Sequence, residues 1–386
     1  MTEHCDIAII GGGPVGAGLA VALQQGDLNV QVLEARAPGL PSNDARALAL
    51  SYGSRLLLQR LGVWHGLQSV SPIRTIHISQ RQSFGRAVLQ AGEMRVPDLG
   101  YVLPYPELHN ALDTAMQNGR TRVSYGASVT RLEADAEQAV IHYGDSDGEH
   151  TLHAKLAVVA DGGRLLAERF PPETRDYGQS AVIAHVTCSA PLPGTAFERF
   201  TQQGPLALLP YQQGYELVWT APHAEAQEML EWSDSEFLER LHAHFGDRVG
   251  DFLSVGKRSC FPLGLRRAPS LTPLPHTVLI GNAAQTLHPV AGQGFNMGIR
   301  DAWELAQTLL DSKPEMIGTS AMLADYVARR QLDRNAGIRF TDGLVRMFSN
   351  DLALLDSGRA ASLSLLDCLS PAKHFVAKRM MFGANG

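Results

Sequence analysis

A glycine-rich turn directly after an apolar strand constrains this chain more than any other feature. The largely apolar run Cys5–Ile10 has the length of a buried parallel strand, and Gly11-Gly12-Gly13-Pro14-Val15-Gly16 follows it at once. Gly11, Gly13 and Gly16 fit the pattern G-x-G-x-x-G. In that pattern the glycines permit a tight turn, close approach of a pyrophosphate and close packing of helix on strand. The run therefore predicts a βαβ unit that binds a dinucleotide.

The segments after the turn complete this unit. Ala17–Gln25 is predicted to be helical, Asn29–Leu33 to form the second strand, and Glu34 follows eighteen residues after Gly16. A carboxylate at the end of the second strand accepts a hydrogen bond from a ribose hydroxyl and disfavours a 2′-phosphate. The predicted occupant is therefore FAD or NAD rather than NADP.

A second glycine-rich segment, far along the chain, distinguishes between FAD and NAD. Gly281-Asn282-Ala283-Ala284 follows the β-rich run Thr277–Ile280 and leads into His288-Pro289-Val290-Ala291-Gly292-Gln293-Gly294-Phe295-Asn296. The Asn282 amide can bond a sugar or ribityl hydroxyl, and the later glycines bring bare backbone close to a ligand at a helix start. The partial positive charge of that helix start would stabilise an anionic reduced flavin. A NAD-dependent dehydrogenase would leave this segment without a purpose.

Two positions between the glycine-rich segments are further candidates. Asp161-Gly162 follows the apolar strand Leu156–Ala160, at the strand end where ligands of parallel sheets bind. Alone this pair is an ordinary turn, but with both glycine-rich segments it predicts one FAD lying across the fold. Arg46 lies in Asp44–Leu50, which we interpret as a polar entry to an apolar helix. It is either a phosphate or flavin contact or a capping surface charge.

Composition excludes several classes of function. The chain has 386 residues, 45% apolar and 19% charged, which is typical of a soluble globular protein. Its net charge of -6 gives no global basic field, so no nucleic-acid partner is expected. We see no signal peptide and no apolar run long enough to span a membrane. The four cysteines show no metal-ligand or redox spacing, so we expect no metal site and a cytoplasmic location.

The order of the elements predicts an α/β fold with two interleaved domains. Parallel strands recur at 1–35, 156–160 and 277–280, and strand-rich stretches separate them. We expect a discontinuous Rossmann-like FAD-binding domain, a second substrate domain with a mostly antiparallel sheet, and C-terminal helices. The predicted boundaries are 1–70, 101–175 and 270–345 for the FAD-binding domain, 71–100 and 176–269 for the substrate domain, and 346–386 for the C-terminal helical segment.

These motifs together resemble the single-component FAD-dependent aromatic hydroxylases related to para-hydroxybenzoate hydroxylase, and within them the ubiquinone-biosynthesis hydroxylases. The resemblance covers nearly the whole chain and includes Phe197-Glu198-Arg199-Phe200-Thr201, Gly256-Lys257-Arg258-Ser259 and Gly281–Pro289. Two departures weaken it. The second motif usually begins Gly-Asp rather than Gly281-Asn282, and the residues after Asp161-Gly162 do not follow the usual Ser and Arg continuation.

The resemblance implies an FAD-dependent monooxygenase that uses NAD(P)H as reductant and O2 as co-substrate. Oxygen would add to the flavin, and the resulting hydroperoxide would hydroxylate the ring of a polyprenylated phenol. His288, Pro289, Gly292 and Gly294 would surround the flavin ring, with no classical base assigned. The predicted cofactor-binding residues are Gly11, Gly13, Gly16, Glu34, Arg46, Asp161, Gly162, Gly281, Asn282, Gly292, Gln293, Gly294 and Asn296.

Several roles stay open on the sequence. The phenol-deprotonating base is His288, Tyr211, Glu198 or none of these. A set of large apolar residues either contacts the isoprenoid tail or forms ordinary sheet core: Phe197, Phe200, Leu206, Leu208 and Trp219. The basic and apolar stretch 371–382 either lies on the inner face of an anionic membrane or packs against the cofactor domain.

Two alternatives to this function remain. One is a sister hydroxylase that acts at another ring position of the same precursor. Another is a non-catalytic flavin-binding scaffold, for which the altered Asn282 and the residues after Asp161 argue. Association with other ubiquinone-biosynthesis proteins is compatible with each of them.

Overall fold

Three β-sheets organise residues 3–39, 44, 46–81, 83–287, 292–348 and 363–384, the part of the chain that the computed structural model describes. The predicted flavin-ring residues His288 and Pro289 lie outside these ranges. A mixed sheet with long parallel neighbours stands beside a large, mostly antiparallel sheet and a small three-stranded one. This architecture confirms the predicted fold class. The domain boundaries stay a prediction.

The mixed sheet has seven strands, and its centre is parallel. They are β1 (Glu3–Ile10), β2 (Val30–Glu34), β8 (Arg122–Tyr125), β9 (Ser128–Ala134), β10 (Ala139–Asp145), β11 (Gly148–Val159) and β18 (Thr277–Leu279). The strand order is β8-β2-β1-β11-β10-β9, and β18 pairs with β11. The strands β8, β2, β1, β11 and β18 run parallel, whereas β9 and β10 form an antiparallel extension. Ile7, Ile9 and Val158 have no exposed surface, as expected for parallel strands covered on both faces.

Four helices flank this sheet. They are α1 (Pro14–Leu23), α4 (Tyr105–Gln117), α7 (Gln293–Leu310) and α8 (Ser320–Phe348). The helix α1 contacts both α4 and α7, and α7 contacts α8. The carboxyl ends of β1, β11 and β18 therefore meet the N-termini of α1 and α7 at one edge of the sheet, where open α/β sheets bind ligands.

The large sheet has nine strands. They are β5 (Thr75–Gln80), β6 (Arg86–Gln90), β12 (Glu173–Cys188), β13 (Thr195–Thr201), β14 (Gly204–Tyr211), β15 (Gly214–Pro222), β16 (Phe252–Val255), β17 (Ser259–Arg267) and β19 (Gln285–Thr286). The order is β19-β17-β12-β15-β14-β13-β5-β6, with β16 beside β12. Among these described pairs, only β13 and β5 run parallel.

The two faces of the large sheet differ. One face packs against α5 (His223–Glu231) and α6 (Asp234–Phe245) through a buried cluster that includes Leu206, Leu208 and Trp219. These three residues are sheet core, the alternative to tail contact left open above. The opposite face, with Ile78, Ala207 and Val218, borders a cavity.

A three-stranded sheet and the C-terminal helix complete the described fold. Its strands are β3 (Ala47–Ser51), β4 (Ser71–Ile73) and β7 (Gly100–Pro104), with α2 (Tyr52–Arg60) and α3 (Ala91–Met94) nearby. The C-terminal helix α9 (Ser370–Phe382) contacts both α2 and α3. This packing fits one of the two alternatives for the stretch 371–382, and contact of that helix with a membrane stays a prediction.

Some local predictions were wrong. The stretch Asp44–Leu50 does not open a helix, because Ala47–Ser51 pairs with β7 as strand β3. The helix starts only at Tyr52, where the Ser51 hydroxyl accepts a hydrogen bond from the Ser54 N–H and caps the first turn. The helix α1 begins three residues earlier than predicted, at Pro14, since proline suits the first helical position.

Candidate functional site

The first glycine turn requires glycine at two positions for reasons internal to the protein. Gly11 has φ +104°, and a Cβ there would lie 2.8 Å from the Ala160 carbonyl oxygen. A Cβ on Gly16 would lie only 2.0 Å from the Gly11 carbonyl oxygen, which explains the close packing of α1 on β1. Gly13 is different. Its φ of -62° suits any residue, and a Cβ there would meet no atom within 4 Å. Its backbone therefore opens directly onto free space at the start of α1.

Glu34 ties the end of β2 to this turn. Its carboxylate accepts hydrogen bonds from the Gly12 N–H at 2.6 Å and the Arg36 N–H at 2.8 Å. The side chain is 13% exposed and borders the same open space as Gly13. A carboxylate has about four acceptor positions, so this group keeps capacity for a further donor such as a ribose hydroxyl.

The loop after β11 is shaped by Asp161. Its carboxylate accepts hydrogen bonds from three consecutive backbone N–H groups, those of Gly163, Arg164 and Leu165, at 2.7–3.0 Å. Gly162 has φ +80°, and a Cβ there would meet nothing within 4 Å. Asp161 therefore holds the loop in its conformation, while Gly162 presents bare backbone to the cavity.

Arg266 also holds this loop, and sequence reasoning missed it. Its guanidinium donates hydrogen bonds to the Gly162 carbonyl at 3.0 Å and to the Gly163 carbonyl. Arg266 lies on β17 of the large sheet, about a hundred residues away in sequence. Only the folded arrangement brings them together, so no local sequence signal indicates the contact.

The second glycine motif is anchored by a buried ionic network. Gly281 has φ +58°, and its N–H donates to the Asp301 carboxylate at 3.1 Å. The other oxygen of Asp301 accepts from Arg330 Nε at 2.8 Å, and Arg330 also pairs with Asp333 at 2.9 Å. Burial alone would lower the pKa of Arg330, but Asp301 and Asp333 raise it above its ordinary value. In the sequence, Asp301, Arg330 and Asp333 look like ordinary charged residues of helices, and nothing indicates that they form a buried network.

Asn296 positions the helix that follows this motif. Its amide donates to the Ala49 carbonyl at 2.9 Å and to the Gly292 carbonyl at 2.7 Å. Its oxygen accepts from the Ser51 N–H at 2.8 Å and the Ser54 hydroxyl at 2.7 Å. All hydrogen-bonding capacity of the amide is thus used within the protein. Asn296 locks the start of α7 onto β3 and α2.

Arg46 lies at the cavity in a paired state. Its Nε donates to the Asp44 carboxylate at 2.7 Å, and its guanidinium lies 5.2 Å from the centre of the Phe261 ring. The hydrogen bond that Arg46 donates to Asp44 raises the pKa of Arg46 above its ordinary value. The side chain is therefore held in place beside the cavity by one carboxylate and one aromatic face.

A single cavity of about 1540 Å³ joins most of the predicted cofactor residues. Its lining includes Gly11, Gly13, Glu34, Arg46, Asp161, Gly162, Asn282, Gly292, Gln293, Gly294 and Asn296. Gly16 and Gly281 are not part of this lining and lie behind it in the packing described above. Ligand pockets usually measure about 300–1,000 Å³. This cavity therefore has room for a dinucleotide and a second molecule.

The cavity continues along the open face of the large sheet. That part is lined mainly by apolar side chains, with contributions from the C-terminal segment: Ile76, Ile78, Ala181, Ile183, Phe200, Ala207, Val218, Phe261, Leu363, Leu366 and Met380. Phe200, one of the candidate tail contacts, belongs to this lining, whereas Phe197 packs with Leu206, Leu208 and Trp219 in the buried cluster on the other face of the sheet. One end of this chamber, the cavity described above, is therefore lined by polar backbone and charged groups, and the other end is lined by apolar side chains.

Glu198 is a carboxyl on this apolar floor. The register of β13 places it opposite Ala207 on one side and Ile78 on the other. The group faces the cavity yet is enclosed by protein, and burial raises the pKa of the Glu198 carboxyl to about 7. Burial also raises the pKa of Tyr211, whose hydroxyl accepts from Gln212 at 3.2 Å and is not part of the lining. Of the candidate bases, His288 falls outside the described residues.

The residues around this cavity fit FAD. Backbone at Gly13, Gly162 and Gly294 opens onto space that no described atom fills. The helices α1 and α7 start at the cavity, so their free N–H groups suit a pyrophosphate and an anionic ring. Three separate stretches of chain thus surround one elongated space.

Comparison with known proteins agrees with this geometry. Residues 4–341 match the family described as FAD binding domain. The chain is 32% identical to the ubiquinone hydroxylase UbiL of Rhodospirillum rubrum, over 97% of this chain and 89% of that protein. It is 29% identical to the 3-demethoxyubiquinol 3-hydroxylase of Escherichia coli, over 91% of each. The crystal structure of p-nitrophenol 4-monooxygenase PnpA from Pseudomonas putida superposes with a TM-score of 0.80 at 16% identity, covering 99% of each chain.

Proposed function

The chain belongs to the FAD binding domain family as an FAD-dependent monooxygenase that uses NAD(P)H and O2, and we propose that it hydroxylates the ring of a polyprenylated phenol in ubiquinone biosynthesis. The proposed substrate is 2-polyprenyl-6-methoxyphenol, since the motifs resemble those of its hydroxylase most closely. The names of the Rhodospirillum and Escherichia relatives support the substrate class. The Escherichia name states a ring position and the Rhodospirillum name does not, so the ring position is left to experiment.

The observation that carries the proposal is the shape of the cavity. Its polar end contains the predicted cofactor residues, and its other end is the apolar face of the large sheet. A phenol ring placed where the two ends meet would lie against the cofactor with an isoprenoid tail extending over Ile78, Phe200 and Leu363. Placing the tail there is favourable, because burial of hydrocarbon contributes about 25 cal/mol per Å².

The chain's own residues would orient and exclude water rather than perform the oxidation. FAD, when bound and reduced by NAD(P)H, supplies the oxygen-activating chemistry. The backbone at Gly292 and Gly294, at the start of α7, would stabilise negative charge on the ring. We keep His288 and Pro289 in the proposed ring environment on the strength of the motif alone.

Glu198 is our proposed acceptor for the phenol proton. An ionised phenol is a more electron-rich ring, so a base beside it favours hydroxylation. A carboxyl with a pKa of about 7 is well matched to this task at neutral pH, because both protonation states are populated. Tyr211 is a poorer candidate, since its raised pKa keeps it protonated and it does not border the cavity.

The test is substrate-stimulated oxidation of NAD(P)H by the purified, FAD-loaded protein, with mass analysis of the product. We expect 2-polyprenyl-6-methoxyphenol to stimulate oxidation and to gain one oxygen atom, whereas its O-methyl ether should do neither. Stimulation by another precursor in the series would identify a sister hydroxylase. FAD binding without stimulation by any phenol would identify a scaffold protein. Intermediates that accumulate in a strain lacking the gene would give the ring position independently.

A further inference from the structure

Four arginines converge at one edge of the large sheet, and none of them lines the cavity. The register pairs Arg199 on β13 with Ser79 on β5, and Ser79 with Arg86 on β6, so these three residues lie in one row on one face. Arg248 donates from Nη1 to the Ser79 hydroxyl at 3.2 Å and therefore joins the row. Arg81, two residues after Ser79, donates to the Ala243 carbonyl at 3.4 Å, near the C-terminus of α6.

No carboxylate among the described residues forms an ion pair with any of these four arginines. Burial lowers the pKa of Arg199, and the charges of Arg248 and Arg81 lower it further. Burial and the charge of Arg86 lower the pKa of Arg248. Arg199 Nε is also buried without a hydrogen-bond partner. The helix terminus explains Arg81 alone, because cations are favourable near a helix C-terminus.

Arg86 is among the charges that lower the pKa of Asp367, but this carboxylate already has other partners. Asp367 accepts a hydrogen bond from the Val88 N–H at 3.0 Å and pairs with Lys373 Nζ at 3.3 Å. The whole chain has a net charge of -6, so a cluster of uncompensated positive charge is a local feature. Such a cluster is favourable when it meets an external anion.

Exposed apolar side chains lie at the same edge. Phe84 is in the connection between β5 and β6, between Arg81 and Arg86 in sequence, and is 75% exposed. The C-terminal segment is held against β6 by the contact of Asp367 with Val88, and on this segment Leu365 is 58% exposed and Leu369 is 46% exposed. Exposed aromatic and aliphatic groups among basic residues are the signature of a surface that lies in a lipid interface.

We propose that this β5–β6 edge docks on an anionic phospholipid bilayer, with Phe84 in the interface and Arg81, Arg86, Arg199 and Arg248 facing the lipid phosphates. Charge complementarity selects this occupant over a neutral one. The edge adjoins the cavity, since Phe200 on β13 and Leu363 of the C-terminal segment pack together with Ile78. A prenyl tail would then pass from the bilayer to the apolar chamber, a step that rests on the proposed function, whereas the docking does not.

The experiment is co-sedimentation of the FAD-loaded protein with vesicles of phosphatidylcholine alone or mixed with phosphatidylglycerol. Wild-type protein should bind the anionic vesicles, and binding should weaken as salt is raised. Each of Arg86→Gln and Arg248→Gln should lower partition about fivefold, and Phe84→Ser about tenfold. Matched controls are Arg120→Gln and Leu253→Ser, which change equally exposed residues elsewhere and should bind like wild type.

Two readouts separate failure of docking from failure of the proposed function. Turnover of a phenol without a prenyl tail should be equal in wild type, Arg86→Gln and Phe84→Ser, which establishes that the variants are folded. Loss of vesicle binding with that turnover intact supports the proposal. Equal binding to neutral and anionic vesicles, or the same loss in the control variants, overturns it. Thermal stabilisation by inorganic phosphate without vesicle binding also overturns it, because the cluster would then be a site for a small anion.

Discussion

Replacing Gly13 by aspartate tests whether the start of α1 holds the cofactor's pyrophosphate. Gly13 is the N-cap of α1, with φ -62° and ψ 173°, and a Cβ there meets no protein atom within 4 Å. Aspartate is at least as good an N-cap as glycine, by a few tenths of a kcal/mol. The apoprotein of Gly13→Asp should therefore be as stable as wild type. A carboxylate about 4 Å from a phosphate, however, repels it by about 4 kcal/mol at an effective dielectric constant of about 20.

That repulsion corresponds to a loss of FAD affinity of nearly a thousandfold. The matched control is Gly13→Asn, which has almost the same shape, caps the helix equally well and carries no charge. Its loss should be limited to crowding, about 1–3 kcal/mol. The assay is titration of each apoprotein with FAD by fluorescence quenching, with thermal melting of the apoproteins as the folding control. Equal FAD affinities for the aspartate and asparagine variants would refute a pyrophosphate at this helix start, and a colourless variant that is also unfolded would refute the open-space argument.

Three further predictions follow from contacts in the site. Glu198→Gln should abolish the rise of the hydroxylation rate with pH through about 7. The raised pKa of the Glu198 carboxyl also makes the wild-type protein less stable as the pH rises from about 4.5 to 7. In urea unfolding, Glu198→Gln should therefore be more stable than wild type by about 3 kcal/mol at pH 8 but not at pH 4.5. Asp301→Asn should lower the free energy of unfolding by about 3 kcal/mol, since it leaves Arg330 with Asp333 as its single buried carboxylate partner. The control is Asp27→Asn at an exposed ion pair, and a smaller loss of stability in Asp301→Asn than in this control would contradict the prediction. Gly16→Ala should lower the melting temperature of the apoprotein as well as the flavin content, because its Cβ would overlap the Gly11 carbonyl, whereas Gly13→Asn should lower flavin content alone.

The parts of the fold that the sequence predicts are those with a strong local signal. A short apolar run, a glycine turn and a helix start are all contiguous in sequence, so the sequence alone locates β1 and the turn at Gly11–Gly16. The helix prediction for Asp44–Leu50 was wrong because this stretch has no strong local signal. Alternating small and apolar residues satisfy a helix and a strand equally well, and pairing with β7, some fifty residues away, decided the outcome.

The parts of the site that escaped prediction depend on side chains brought together by tertiary structure. Arg266 reaches the loop at Gly162 from the large sheet, and Arg330 on α8 bonds Asp301, which holds Gly281. The sequence around these arginines gives no indication of either contact. The environment of Glu198 is similar: its neighbours Ala207 and Ile78 are set by strand register, and only that register makes it an isolated carboxyl.

Arg266, one of these missed residues, couples the two large sheets. Arg266 joins β17 to the loop after β11. The pairing of β17 with β19 also places Arg266 beside Thr286, which lies between Gly281-Asn282-Ala283-Ala284 and the segment that begins at His288. A shift of the large sheet would therefore move both cofactor loops at once. The apolar chamber lies on the same sheet, so we predict that filling it alters the position of the cofactor loops. Arg266→Lys, which cannot reproduce the two-carbonyl contact of a planar guanidinium, should weaken FAD binding and reduce the effect of the phenol on that binding, whereas Arg267→Lys on the same strand should do neither. A variant with weaker FAD binding but undiminished response to the phenol would separate the two functions and contradict the linkage.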